Sequence, residues 1–213
     1  MKRARTILIC TFCFGLLILP GCIQKKNSGA FPDNPNAATK VLVWSDEFDY
    51  NGLPADNKWS YDTAGNAGGW GNNESQFYTK ARLRNAEVKD GYLNITARKE
   101  DYKGFSYTSA RLITKQKGDW LFGRMEIKAK LPDGRGMWPA IWMLPSDWVY
   151  GGWPASGEID IMENVGYDPF IILASAHTES YNHVQGTQKN NKITINTCYS
   201  DFHVYALEGE AKG

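Results

Sequence analysis

Disulfide chemistry and charge asymmetry are what this 213-residue chain has least of. Of its four cysteines, Cys10 and Cys13 lie in an N-terminal apolar run and Cys22 just beyond it, which leaves Cys198 alone in the rest of the sequence. No intrachain disulfide can therefore brace the segment 41–213. A single thiol with no histidine arranged around it reads as a small buried hydrophobe rather than a nucleophile. The 24 basic and 23 acidic residues leave a net charge of +1, with no basic stripe, so nucleic acid is excluded as a partner. His177, His183 and His203 show no His-x-x-x-His or similar spacing, and a zinc site is excluded with them. There is no internal repeat and no long amphipathic helical pattern.

The apolar run 7–19 is too short to cross a bilayer as a helix, and it follows Lys2, Arg3 and Arg5. That is the pattern of an export signal, expected over residues 1–21. The run ends in Leu19-Pro-Gly-Cys22, which is similar to a lipobox and makes Cys22 the expected lipidation site, with plain secretion as the other reading. Residues 22–40, with Lys25, Lys26, Gly29, Pro32, Pro35 and several asparagines, show no apolar period and read as a flexible tether. The expectation is an exported protein anchored to a membrane by lipid.

From residue 41 the segments are short and punctuated by Gly, Asn, Asp and Pro. Alternation in 92–98 and 124–130 predicts strands, and 41–44, 171–177, 192–196 and 202–207 extend the series. Short strands without helices predict a single all-β domain over 41–213, built as an antiparallel sandwich. Aromatic residues make up 13% of the chain, suiting both core packing and stacking against sugar rings.

The densest chemistry is in Gly157-Glu-Ile-Asp-Ile-Met-Glu163. Side chains alternate along a strand, so Glu158 and Asp160 share a face while Glu163 falls on the other. One extra residue around Ile161-Met162, a β-bulge, would bring Glu163 back to join them. Two carboxyl groups facing one site suit glycosidic bond cleavage, and a third charge nearby can hold one of them protonated. An exposed acidic strand edge or a cation site is the bland reading of the same pattern.

Glu158-Ile-Asp-Ile-Met-Glu163 resembles the signature of glycoside hydrolase family 16 in the bulged form of laminarinases. Trp44-Ser-Asp-Glu-Phe-Asp49, Trp70-Gly-Asn-Asn-Glu74, Tyr107-Thr-Ser-Ala-Arg111, Gly123-Arg-Met-Glu126, Met137-Trp-Pro-Ala-Ile-Trp142 and Ala176-His-Thr-Glu179 resemble further family segments, in the family's order. The resemblance implies a concanavalin A-like jelly-roll sandwich with a cleft across its concave sheet. It implies hydrolysis of internal β-1,3-glucosidic bonds with retention, with Glu158 as nucleophile, Glu163 as general acid/base and Asp160 tuning both. Trp138 and Trp142, four residues apart and so on one strand face, resemble sugar-stacking tryptophans, with core packing as the rival reading. Trp153 is of the same kind. Asn72, Arg111 and His177 resemble residues that hydrogen-bond the substrate.

No cofactor is required, and the resemblance implies a structural calcium with Glu47 as a ligand. The expected partner is a β-glucan and the expected state a monomer. Family members continue beyond the segment resembling Phe202-His-Val-Tyr-Ala-Leu-Glu208, so the sandwich is expected to be incomplete at its C-terminal end. A glucan-binding lectin of the same architecture, or an enzyme acting on mixed-linkage glucan or algal galactans, stays open at this stage.

Overall fold

The structure is a computed structural model that describes residues 40–210. The signal at 1–21, Cys22 and all of the tether but Lys40 lie outside the described residues. Two units divide the chain at Val43 and Trp44. In the first, residues 40–43 are exposed and carry no regular structure, so the strand expected at 41–44 does not form. An apolar, β-branched run makes a strand only where a neighbour takes up its backbone hydrogen bonds.

The second unit is built from strands, as its sequence pattern predicts. In chain order they are β1 (Ser60–Tyr61), β2 (Gln76–Tyr78), β3 (Ala86–Lys89), β4 (Tyr92–Ile95), β5 (Arg98–Tyr102), β6 (Phe105–Ser109) and β7 (Leu112–Ile113). They continue as β8 (Gly123–Ala129), β9 (Ala140–Met143), β10 (Glu158–Glu163), β11 (Ile171–His177), β12 (Lys189–Thr194) and β13 (His203–Gly209). A 3-10 segment, Asn66–Gly71, is the described helical element.

The sheet that matters for chemistry has the order β12-β11-β10-β9, every pair antiparallel. Behind it lies the pair β13-β8. Ile161 and Met162 of β10, Ile172 of β11, Tyr205 of β13, Leu131 and Cys198 form the core between them. Met125 and Ile127 of β8 and Ile141 and Met143 of β9 pack against that core. Cys198 is a free, fully buried thiol, consistent with its reading as a small hydrophobe. Burial of each such side chain contributes on the order of 1.5–3 kcal/mol, which fixes which face of β10 turns inward.

A second region is held by polar groups. Asn85, fully buried, accepts from Thr79 Oγ1 at 3.0 Å and Arg82 Nη1 at 3.1 Å, and donates to Thr96 O at 3.0 Å and Thr108 Oγ1 at 2.9 Å. One amide thereby joins the turn before β3 to the end of β4 and to β6. Around it runs the sheet β2-β6-β5, in which β2 and β6 are parallel.

Candidate active site

Strand β10 carries the bulge that its acid spacing requires. Against β11, Asp160 pairs with Ser175 and Glu163 with Leu173, so Ile161 and Met162 together oppose Ala174. Against β9, Asp160 pairs with Trp142 and Met162 with Ile141, which makes Ile161 the extra residue. The bulge forms because Ile161 and Met162 both gain by entering the core. Its consequence is that Glu158, Asp160 and Glu163 lie together on the opposite face, with Asp160 only 4% exposed and the two glutamates half-buried.

Gly157 enters this strand at φ +85°, a conformation that a side chain at Cβ disfavours. Its N–H donates to Pro154 O at 3.0 Å and closes a turn that carries Trp153 back over the strand. The Trp153 indole N–H then donates to Glu158 Oε2 at 2.6 Å. At the other end of β10, the Trp138 indole N–H donates to Glu163 Oε1 at 3.0 Å. Asn164, buried just after Glu163, anchors that end by donating to Ile171 O at 2.8 Å and accepting from Tyr199 Oη at 3.0 Å.

Each outer carboxyl group is therefore held by one indole donor, and the inner one by neither. Desolvation drives the Asp160 pKa well above the usual carboxylate range, and the charges of Glu163 and Glu158 push it further in the same direction. Asp160 is accordingly protonated at neutral pH and donates a hydrogen bond to Glu158. His177 Nε2 lies 3.2 Å from Asp160 Oδ2, and burial lowers the imidazole pKa, so the ring is neutral. Its Nδ1 is buried without a partner. A bare nitrogen lone pair there costs less than an unpaired N–H, which places the ring proton on Nε2, toward Asp160.

The Glu163 pKa is also raised, chiefly by burial and further by the Glu158 charge, while the Trp138 hydrogen bond and the charge of His183 oppose the shift. The arrangement thus separates the acids into a protonated centre, a glutamate biased toward holding a proton, and Glu158 between Trp153 and Asp160. Glu158, Asp160 and His177 also present donor atoms within 4.8 Å of one another.

The expected subsite residues fall into two groups. Trp138 precedes β9 rather than lying on it, so the shared strand face assumed for Trp138 and Trp142 is not formed; Pro139 separates Trp138 from the ladder. Trp138 is 48% exposed beside Glu163. Trp142 lies directly across from Asp160, and the Arg111 guanidinium covers its ring at 4.4 Å. The same guanidinium lies 4.3 Å from the Trp70 ring, and Arg111 Nε lies 3.2 Å from Asp62 Oδ2. Asn72 is exposed in the turn after Trp70, and its amide donates to Glu74 Oε1 at 3.4 Å.

Two residues here were not singled out from sequence. Trp70 adopts φ +55°, an unusual conformation for a bulky residue and one that accumulates near functional sites. A Cβ at Gly65 would meet its ring at 2.4 Å, so Gly65 is what admits it. The second is His183, whose ring lies 4.7 Å from that of Trp153. The Gly-rich surround of Trp70 was a usable signal.

Glu47 is exposed, and its neighbour Asp46 already accepts from Trp59 Nε1 at 2.7 Å, from Tyr50 Oη at 3.1 Å and from Lys58 Nζ at 3.3 Å. Calcium takes six to eight oxygens, and the side-chain donors beside Glu47 do not fit it on their own.

The model of glycosyl hydrolases family 16 matches residues 72–212. A β-glucanase from Rhodothermus marinus is 57% identical over 169 residues, which cover 78% of this chain and 58% of that protein. The X-ray structure of the laminarinase from Rhodothermus marinus superposes with a TM-score of 0.76 at 57% identity, over 78% of this chain and 66% of that one. A non-specific endo-β-1,3(4)-glucanase of family GH16, crystallised with a glucan oligosaccharide at its active site, gives a TM-score of 0.76 at 46% identity. That match covers 80% of this chain and 68% of the other. The chain thus spans about three fifths of the first of these relatives.

Proposed function

The chain belongs to glycosyl hydrolase family 16, and from that premise we propose that it hydrolyses internal β-1,3-glucosidic bonds of β-glucans with retention of anomeric configuration. The fold is the jelly-roll sandwich of the laminarinases it resembles. The observation that carries the reading is the bulged β10, with three acids on one face and an indole N–H on each outer one.

In the first step a Glu158 carboxylate oxygen bonds to the anomeric carbon, the glycosidic C–O bond breaks, and the Glu163 proton passes to the leaving oxygen. Burial foremost, and the Glu158 charge, raise the Glu163 pKa and so favour the protonated form that this step uses. Once the proton has left, the Trp138 N–H stabilises the carboxylate that remains. That carboxylate then takes a proton from water as the water attacks the glycosyl ester, and Glu158 departs. Protonated Asp160 holds Glu158 by a hydrogen bond without adding a second negative charge beside it.

Arg111 contacts the rings of both Trp70 and Trp142, a cluster that reaches Asp160 across the β9–β10 pair and supports a role as a sugar-binding wall. His177 supports the site through Asp160. Export, with a lipid on Cys22, belongs to the same proposal and places the catalyst where external polysaccharide arrives.

Incubation with laminarin, lichenan, agarose and carrageenan, followed by product analysis, tests the reading. Laminari-oligosaccharides released with β-configuration at the new reducing end are expected. Galactan cleavage alone, or tight glucan binding without products, would replace it.

A further inference from the structure

We infer that His183 is a positioning residue for Glu158, acting through the ring of Trp153. The inference rests on the reading of Glu158 as the nucleophile. Glu158 receives its indole hydrogen bond from a residue five positions earlier, on a turn outside the sheet, so the bond is only as well aimed as the Trp153 ring is fixed.

Two imidazoles bear on that ring. His177 lies 5.9 Å away at an interplanar angle of 51°, and its own Nε2 is engaged with Asp160. His183 lies closer, at 4.7 Å and 33°, the nearer approach to parallel contact of the two. The two imidazoles meet edge to face at 5.4 Å and 84°. Trp153 is therefore bordered by a ring from the strand and a ring from the loop.

The loop is built to hold its ring in place. Asn182, next to His183 and only 1% exposed, donates to Thr178 O at 3.2 Å and Glu179 O at 3.0 Å, and accepts from Gln185 N at 3.1 Å. Its backbone N–H donates to Thr187 Oγ1 at 3.2 Å, and its carbonyl accepts from Thr187 N at 3.0 Å. Gly186 N donates to His183 O at 3.1 Å. A satisfied buried amide at the root of a surface loop fixes the backbone from which the imidazole projects. His183 itself is exposed, so its ring contributes little burial to the core; it contacts Trp153 and His177, and its charge also acts on Glu163.

The test combines kinetics with the Trp153 indole 1H–15N resonance, identified by its disappearance in Trp153→Phe. In His183→Ala we expect that resonance to move upfield and exchange faster with solvent. We also expect kcat on laminarin to fall on the order of tenfold with KM nearly unchanged, since a misaimed reacting group costs rate rather than binding. His183→Phe, which keeps a flat ring, should recover most of both. In a Trp153→Phe background, His183→Ala should have little further effect, because the bond it supports is already gone. An unmoved indole resonance in His183→Ala, or an undiminished effect in the Trp153→Phe background, overturns the inference. Should the wild-type protein cleave no glucan, the functional reading fails, while the indole resonance still decides whether His183 holds the Trp153 bond.

Discussion

Glu100 on β5 and Asp160 on β10 are both shielded carboxyl groups on sheets of one domain, and their surroundings treat them in opposite ways. Glu100 is gripped by Arg82 through contacts of 2.7 and 3.1 Å, with Arg84 at 3.7 Å and Arg98 at 3.9 Å, and the Thr108 hydroxyl also donates to it. The Arg82 hydrogen bonds foremost hold its pKa down at about 2. Among the described residues Asp160 has no guanidinium or ammonium contact; its neighbours are two more carboxyl groups and a neutral imidazole. The first region spends charge on holding strands together. The second keeps carboxyl groups close without a counter-charge, which costs stability and sets proton affinities apart, as acid/base chemistry requires.

The largest expected effect breaks the acidic region alone. Glu158→Gln should lower laminarin turnover by several orders of magnitude, since no carboxylate is left to form the glycosyl ester. Its melting temperature should stay level or rise, because one of the charges crowding Asp160 is removed. Turnover and calorimetry on one preparation check both, and wild-type turnover in this variant would remove Glu158 from the nucleophile's role.

Asn85→Ala does the reverse. It removes all four hydrogen bonds of a buried amide, those with Thr79, Arg82, Thr108 and the Thr96 carbonyl, at a cost of about 1–3 kcal/mol. For a domain of this size that lowers the melting temperature by roughly 2–4 °C per kcal/mol. Activity well below the melt should be nearly unchanged, because among the described residues the side-chain hydrogen bonds of those partners run to β5, to Asn85 and to Ser109 rather than to β10. Thermal denaturation followed by circular dichroism, with laminarin assays at low temperature, separates the two effects.

The same contrast decides what could be read from the chain. The three-acid face was legible because parity is local: a count of residues from Glu158 to Glu163 requires a bulge, and Ile161 and Met162 are apolar enough to form it. The strand 124–130 was legible because half-buried and exposed residues alternate along it, and 171–177 because it is a short run with most of its side chains wholly or partly buried. The start of β12 at Lys189 was not, since all its residues are exposed and no period marks it. The run 41–44 misled for the complementary reason: its side chains suit a strand, but pairing depends on a distant neighbour. Trp138, Trp153 and Arg111 were visible as residue types near the acids, yet their partners are set by loop closure. Arg111 contacts Trp70 and Trp142, 41 and 31 positions away, and no spacing rule reaches that far.

The smallest effect sharpens the comparison most, because the two carboxyl groups should give stability curves of opposite slope in different pH windows. For Glu100 the folded pKa, about 2, lies below its unfolded value, so between them the unfolded chain binds the extra proton and wild-type stability rises with pH. That stability is complete above the ordinary glutamate range, near 4.3, and lost as pH falls toward 2. Glu100→Gln should lack this rise and converge on the wild type at the acid end. For Asp160 the folded pKa is raised, so as pH climbs above the ordinary aspartate value, near 3.9, the unfolded chain releases its proton first and the wild type loses stability. The loss levels off once the folded carboxyl has itself ionised. Asp160→Asn carries no titrating proton, and its amide can still donate to Glu158, so its advantage over the wild type should be absent in acid and grow toward alkaline pH. Melting temperatures of the three proteins from pH 3 to pH 9 at low salt give both slopes. Parallel curves for Asp160→Asn and the wild type would show that Asp160 ionises alike in both states, and the division of labour between the two regions would fall with it.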